Sequence, residues 1–484
     1  MLIGFDASRA FVDEATGTEN YSLNLLKALA KIDRKNRYRV YLRESQIYTP
    51  GVSRGASLRT PGVKRGDWPN NFEFKLIRPR RFWTQIGLAW ETWKNPVDLL
   101  FVPAHTLPIF RKRKIFKGTT SSQSTTGITG FKNERACGTR DTLVTRDTRY
   151  VVTIHDLGVE YLLLYHQFPQ RYYLDLASKY AANAADALIA VSEATRRDLI
   201  DRYKVGTKKV FVVPEGVDMR FFKPSSKLKV QSVKSKYKIK GPYILFVGTV
   251  QPRKNLECLI EAFSQLVHSS QNSSQLRVDP STSLRAGSSQ TKQNSAASVN
   301  SEQRIENQLS VNRELITDNL QLIILGKLGW DYQKILDAPK KYGVGNRVKF
   351  LGYVNRADLS SLYTGASVLA APSLFEGFDL PILEALACGC PVIASNIPAH
   401  REILRKLEGT RKGTKGRRSV SNIPVPIVLA KPKDIGSLSR FLYQSISQYD
   451  KRQSFITERR ELASKFSWDE AAKKTLNVFE SCLS

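Results

Sequence analysis

At 484 residues the chain is too long for one ordinary domain and ample for two, and 41% hydrophobic residues can fill two cores. A mean hydropathy of −0.32, with no unbroken apolar run of spanning length, argues against a membrane-spanning chain. The formal charge of +31 calls for anionic partners, yet no zinc-finger, RRM or KH signature accompanies it, so nucleic acid is not expected.

The opening MLIGFDASRAF has neither a basic n-region nor a small-residue cleavage pattern, so no secretory leader is expected and Leu2–Phe5 reads as a first core strand. Five cysteines without framework spacing fit a reducing compartment, and the expected location is the cytoplasm, at the inner face of the membrane. Strand-like runs follow at Tyr38–Leu42, Leu99–Val102, Val151–Ile154, Ala187–Val191 and Val210–Val213. Helical segments such as Asn20–Lys31 and Gln170–Ala182 lie between them, the alternation of an α/β protein with parallel sheets. The span 1–220 is read as one lobe. The charged, Ser/Lys-rich stretch 221–240, with Pro224, is read as a hinge linker.

A second lobe, 241–465, restarts at Tyr243–Val247 and continues with strands near Leu320–Leu325, Val348–Leu351, Val368–Ala370 and Val392–Ala394. A last helix opens at the capping-box sequence Ser467-Trp468-Asp469-Glu470. Three polar, aromatic-poor stretches, Gly118–Thr148, His268–Asp318 and Gly409–Ser421, break the order and read as insertions at surface loops. The basic runs Arg111–Lys114 and Arg411–Arg418 carry much of the charge and suggest peripheral contact with an anionic membrane surface.

The most informative stretch is PSLFEGFDLPILEALACGCPVIAS, from Pro372 to Ser395. Pro381 suits the first turn of a helix, Gly389 a left-handed stop, and Val392–Ser395 a short buried strand. That places Glu376 in the loop before the helix, Glu384 within it, and the amides of Gly377, Phe378, Asp379 and Leu380 at its N-terminus, where an anion binds well. Two carboxylates beside a phosphate-sized site suit a ligand with both hydroxyls and phosphates, such as a nucleotide sugar. After the strand at 243–247 comes Gly248-Thr249-Val250-Gln251-Pro252-Arg253-Lys254-Asn255. A glycine turn at a strand's carboxyl end followed by two cations fits a pyrophosphate. Cys388 and Cys390 flank Gly389, but no further Cys/His cluster completes a metal set.

Glu-Gly-Phe, Leu-Pro, Glu-Ala and Cys-Gly-x-Pro-Val-Ile-x-Ser in one register resemble the retaining glycosyltransferases of family 4, the group 1 type. The resemblance implies a GT-B fold, two Rossmann-like lobes with parallel sheets facing across a cleft, with a final helix, 466–484, crossing back to the first lobe. It implies transfer of a sugar, in the manner of mannosyltransferases, from a nucleoside diphosphate to a hydroxyl of a glycan or lipid-linked acceptor, with retention and without a metal or other cofactor. Arg253, Lys254, Glu376 and His155 would then be catalytic. Glu384 would take the ribose, while Gly248, Gly326, Tyr353 and Val354 with residues 377–380 would line the donor site. Gly17, Thr18 and His105 would lie on the acceptor side. The chain departs from the pattern at Asp379, where many members carry glycine; a carboxylate there alters the phosphate or sugar contacts. A GT-B epimerase or phosphorylase is the alternative, and a basic nucleic-acid binder with an inactive core is a third reading.

Overall fold

A computed structural model describes residues 1–12, 14–43, 68–78, 83–110, 148–158, 170–272, 319–408, 427–447 and 455–483. The first lobe contains β1 Leu2–Asp6, β2 Arg37–Arg43, β3 Phe72–Ile77, β4 Leu99–Val102, β5 Arg149–Ile154, β6 Ala187–Ala190 and β7 Val210–Val212. The second contains β8 Tyr243–Val247, β9 Gln321–Leu325, β10 Val348–Gly352, β11 Val368–Ala371, β12 Val392–Ser395 and β13 Ile427–Ala430. Helices in the first lobe are α1 Gly17–Ile32, α2 Ala89–Lys94, α3 Gln170–Ala184 and α4 Glu193–Tyr203. There follow α5 Lys227–Lys236, α6 Leu256–Asn272, α7 Gln333–Lys341, α8 Arg356–Gly365 and α9 Leu380–Ala387. The last four are α10 Pro398–Glu408, α11 Ile435–Ser447, α12 Ile456–Ser464 and α13 Trp468–Ser481.

The sheets run β3-β2-β1-β4-β5-β6-β7 and β10-β9-β8-β11-β12-β13, and the strand pairs are parallel. Strand order reverses between β1 and β4 in the first and between β8 and β11 in the second. In open α/β sheets a crevice opens at the carboxyl ends of the strands at such a switch point, and ligands bind there. The two switch points fix where a site can lie. The strands read as short, wholly buried apolar runs because both faces are covered, as in Leu99–Val102 and Val392–Ser395.

Three apolar clusters fill the molecule. One covers a face of the first sheet around Trp83, Leu100 and Val152, and another a face of the second around Phe263, Leu322 and Leu442. The largest is shared, joining Ile3, Leu25 and Phe101 of the first lobe to Leu245 and Leu383 of the second. Helix α13 belongs to the shared cluster. Its Trp468 ring lies 5.7 Å from Tyr21 on α1, its Phe479 ring 5.2 Å from Phe101 on β4, and Asp469 pairs with Lys31. The crossing back to the first lobe is thus real packing, with Ser467 as N-cap, its Oγ accepting from the Glu470 amide at 3.1 Å.

Several boundaries differ from expectation. The stretch 221–240 is not an open hinge, since it holds α5 and buries Phe222, Val233 and Ile239. Phe222, Val233 and Ile239, spaced among lysines, are covered by the shared apolar cluster. The second polar stretch cannot begin at His268, because α6 runs on to Asn272, with the His268 ring 3.1 Å from the Ser264 hydroxyl. Helix α1 opens at Gly17 rather than at the expected Asn20, and Glu19 accepts from the Thr16 amide at 3.1 Å. Thr148 is part of the folded lobe, its hydroxyl donating to Val97 O at 2.7 Å. The rest of 118–148, residues 273–318 and residues 409–421 lie outside the described residues, as do both basic runs.

Candidate active site

The loops after β8 and β11 meet at the second switch point. Pro252–Lys254 form a single 3-10 turn, and Asn255 follows at φ 55. The turn is sewn to the β11 loop: the Leu374 backbone amide donates to Arg253 O at 2.9 Å, and the Asn255 side chain donates through Nδ2 to Pro372 O at 3.1 Å. This lacing aims both cations at Glu376. Arg253 Nη1 lies 2.6 Å from Glu376 Oε2, and Lys254 Nζ lies 2.5 Å from Oε1. Burial works against a charge on Glu376, but Arg253 and Lys254 outweigh it and hold the carboxyl down at about 2. Burial likewise opposes the charge on Arg253, and Glu376 and Asp156 more than restore it.

Beyond Glu376 the chain turns into α9 as Pro381 and Gly389 predict. Pro381 stands in the first turn, and Gly389 ends the helix at φ 80. The N-cap is Asp379, at φ 86, a conformation that glycine adopts freely and an L-residue does not. The commoner glycine therefore meets a backbone requirement, and in this chain the side chain's partners hold the strained form. Asp379 Oδ1 is 3.6 Å from Lys254 Nζ, and Oδ2 is 3.1 Å from Nε2 of the wholly buried His400. The other nitrogen, Nδ1, faces Ser395 O at 2.9 Å. A carbonyl only accepts, so Nδ1 carries a proton; the Nε2–Asp379 bond then needs a second, on the ring or on the carboxyl. Among the described residues no intramolecular hydrogen bond is formed by the amides of Gly377, Phe378 and Asp379. The side chains of Phe378, Leu380 and Val354 are buried in the core, Phe378 edge-on to Phe466, so these positions can offer a ligand only their backbone.

Glu384 is half-buried on α9 and accepts from the hydroxyl of buried Tyr363 at 2.8 Å. Burial pushes its carboxyl up to about 7, against that hydrogen bond. At the neighbouring strand ends Gly326 needs to be glycine, since a Cβ there would stand 2.0 Å from Gly248 O. Tyr353 stands at the rim with Lys327 Nζ 5.6 Å from its ring centre.

The first lobe closes over this loop. A Cβ on Gly377 would fall 1.7 Å from the His155 carbonyl oxygen, so only glycine allows the lobes to come this close. Asp156 Oδ2 lies 3.8 Å from Arg253 Nη1. The His155 ring is engaged at both nitrogens, Nδ1 3.2 Å from Glu215 Oε1 and Nε2 3.1 Å from Pro103 O. In this arrangement the ring holds Glu215 and Pro103, and neither nitrogen is turned to a sugar. Burial disfavours its charged form, but the Glu215 carboxylate outweighs burial and raises its proton affinity. His105, with its ring 5.7 Å from that of His155, is pulled down to about 4 by burial and by its charged neighbour. Gly17 and Thr18 open α1 close to Glu14, whose carboxylate meets Lys327 across the cleft at 2.9 Å.

Sequence reasoning missed Glu215, Tyr363 and Glu402. Glu215 follows β7 in Val-Val-Pro-Glu-Gly-Val-Asp, so its strand-end position was a usable signal. Glu402 on α10 spans the cleft and takes the Glu193 amide at 2.9 and 3.0 Å, at the start of α4. A lone glutamate in an amphipathic helix gave no sign of that.

Two family models match the chain, "Glycosyltransferase Family 4" over residues 136–221 and "Glycosyl transferases group 1" over 288–417. Both matched stretches are similar to glycosyltransferases of the family 4 type. O-antigen chain mannosyltransferase B of Escherichia coli is 23% identical over 333 residues, covering 69% of this chain and 70% of that one. A D-inositol 3-phosphate glycosyltransferase of Salinispora tropica is 26% identical over 304 residues, 61% of this chain and 51% of that one. Among solved structures, HepE of Anabaena in complex with UDP-glucose has a TM-score of 0.59 at 16% identity, covering 99% of this chain and 100% of that one. WaaG, a glycosyltransferase involved in lipopolysaccharide biosynthesis, has a TM-score of 0.59 at 15% identity, covering 98% and 99%. These likenesses give the chain its fold, GT-B. The expected two-lobed α/β class stands.

Proposed function

We propose that the chain is a glycosyltransferase that moves a hexose, mannose in our reading, from a nucleoside-diphosphate sugar to a hydroxyl of a glycan or lipid-linked acceptor, with retained configuration and without a metal. The observation that carries the reading is the Arg253–Glu376–Lys254 cluster, set beside the 377–379 amides at the second switch point. Without a donor the two cations neutralise Glu376. A diphosphate entering between them and the amides would offer the cations a second set of anionic oxygens. Arg253 and Lys254 would then stabilise charge developing on the leaving diphosphate, the role a divalent ion has in other transferases. Glu376, drawn partly from its cations, would turn an oxygen to the sugar hydroxyls. Glu384 would receive the ribose hydroxyls.

For retention, a double displacement needs a carboxylate nucleophile facing a partner acid across the reacting carbon. Glu376 is tied up in two ion pairs, which makes it a poor nucleophile, so front-face attack is the route proposed. In it the acceptor oxygen bonds to the anomeric carbon as the phosphate oxygen leaves on the same face, and that oxygen takes the acceptor proton. The protein's part is positioning and electrostatics. His155 would act by holding Glu215 and the Pro103 loop, with its carbonyl against Gly377, rather than by contact of its ring nitrogens with the sugar. The mannose assignment draws support from the E. coli O-antigen relative.

The test is turnover in the presence of EDTA, with Arg253→Ala beside the wild type. Activity should survive chelation and fall by roughly 10²–10³-fold in the variant. Activity abolished by EDTA and restored by Mg²⁺ or Mn²⁺ would sink the metal-free scheme. A thermal-shift screen across UDP-, GDP- and ADP-sugars identifies the donor, a GDP-mannose response being expected.

A further inference from the structure

Among the described residues, the large apolar side chains left exposed on the first lobe, Val12 apart, gather in one region. Ile86, Trp90 and Trp93 follow i, i+4, i+7 spacing through the π-turn Trp83–Leu88 and α2, so they share a face. They are 53%, 70% and 51% exposed. The opposite face, with Trp83, Leu88 and Ala89, is buried in the first-lobe core. A helix apolar on both faces is normally covered on both. The Gln85 side chain extends the patch, donating to Leu107 O at 3.1 Å and accepting from the Ile109 amide at 2.8 Å. This pins Ile109 and Phe110, 56% and 71% exposed, beside Ile86. Tyr180 on α3 donates to Ile109 O at 3.2 Å, and Leu176, one turn earlier on that helix, is 72% exposed.

Charge selects the occupant. In the sequence Arg78, Arg80 and Arg81 precede Trp83, and Arg111-Lys112-Arg113-Lys114 follows Phe110 directly; Lys94, next to Trp93, is exposed. The acids nearby are already paired, Glu91 with Lys75 at 2.6 Å and Asp175 with Lys179 at 2.9 Å. A second copy, also carrying +31, would be repelled. Nucleic acid would meet the cations but leave the apolar side chains wet. Tryptophan and phenylalanine beside lysine and arginine match a bilayer interface, where ring bodies enter the acyl boundary and cations meet anionic headgroups.

We propose that Ile86, Trp90, Trp93, Ile109, Phe110 and Leu176 form a docking surface for an anionic membrane leaflet. The segment that presents Ile109 and Phe110 also carries His105, so docking sets the acceptor side of the cleft next to the bilayer. The inference is independent of which sugar is moved. It would hold for a lipid-linked acceptor.

The test is sedimentation of the full chain with vesicles of phosphatidylcholine, with and without phosphatidylglycerol. Binding is expected only with the anionic lipid, weakened by salt, and reduced about tenfold or more in Trp90→Ser/Trp93→Ser. Leu228→Ser, an exposed leucine elsewhere, should bind as the wild type does. Nucleotide binding retained in both variants shows that they fold. As a second readout, acyl-brominated lipid should quench tryptophan fluorescence in the wild type and much less in the double variant. Equal vesicle binding by wild type and double variant would overturn the proposal. So would absence of binding, or a wild-type dimer that the tryptophan variant dissociates.

Discussion

Among the described residues Glu384 accepts from the Tyr363 hydroxyl, and burial raises its carboxyl to about 7. Only its charged form accepts hydroxyls with full strength, so nucleotide affinity should rise between about pH 6 and pH 8. Calorimetry should find that rise absent in Glu384→Gln. Affinity should fall by about 1.5–3 kcal/mol in Glu384→Ala; unchanged affinity in a folded variant would remove the ribose assignment. Stability runs the other way. A carboxyl raised on folding contributes fully below its ordinary value of 4.5, and that contribution is lost as pH climbs towards about 7. Asp379 and His400 give a second residue-scale prediction. Removing one partner of a buried pair costs roughly 3–5 kcal/mol, so His400→Leu should destabilise strongly. Asp379→Gly should cost less, because glycine accepts φ 86 without strain and so offsets part of the loss of the His400 Nε2 partner. In the double variant no carboxylate is stranded, and denaturant melts should show most of the loss recovered. If the double variant is as weak as His400→Leu, the pair is not what His400 serves.

Helices connect these residues to the lobes. α13 lies at the end of the chain yet packs against the first lobe through Trp468, Val478 and Phe479, all buried. Each such side chain is worth about 1.5–3 kcal/mol when covered. Ending the chain after Lys465 exposes Tyr21, Phe101 and the rest of that seam together, and the first lobe should melt well before the second in calorimetry. A single unshifted transition would show that the seam adds nothing. α9 is more local: Pro381 and Gly389 define it, and both were legible because each answers a backbone requirement rather than a neighbour. The 221–240 stretch was misread because its composition resembles a linker, whereas Val233 and Ile239 become core only once the sheet beside them exists.

At the scale of the whole molecule the lobes share the largest apolar cluster, and polar contacts across the cleft add to it. Glu402 on the α4 N-terminus and Lys327 on Glu14 are two polar contacts between the lobes. Glu402→Ala frees the α4 amides and should let the cleft open. Small-angle scattering should then give a larger radius, with weaker donor affinity at unchanged unfolding midpoint; identical scattering would mean that the carboxylate does not hold the lobes. Sequence by itself determined the fold class and the local course of the chain from Glu376 into α9 and β12. Strand alternation, glycine at strand ends and the register from Glu376 to Ser395 are local properties, written in neighbouring residues. Tertiary structure alone decided who neutralises whom. Glu376 is separated from Arg253 by more than a hundred residues, and Glu215 from His155 by 60. Such pairs form where parallel strands end side by side at a switch point, and strand order is set by how helices cover both faces of the sheet, not by any local pattern.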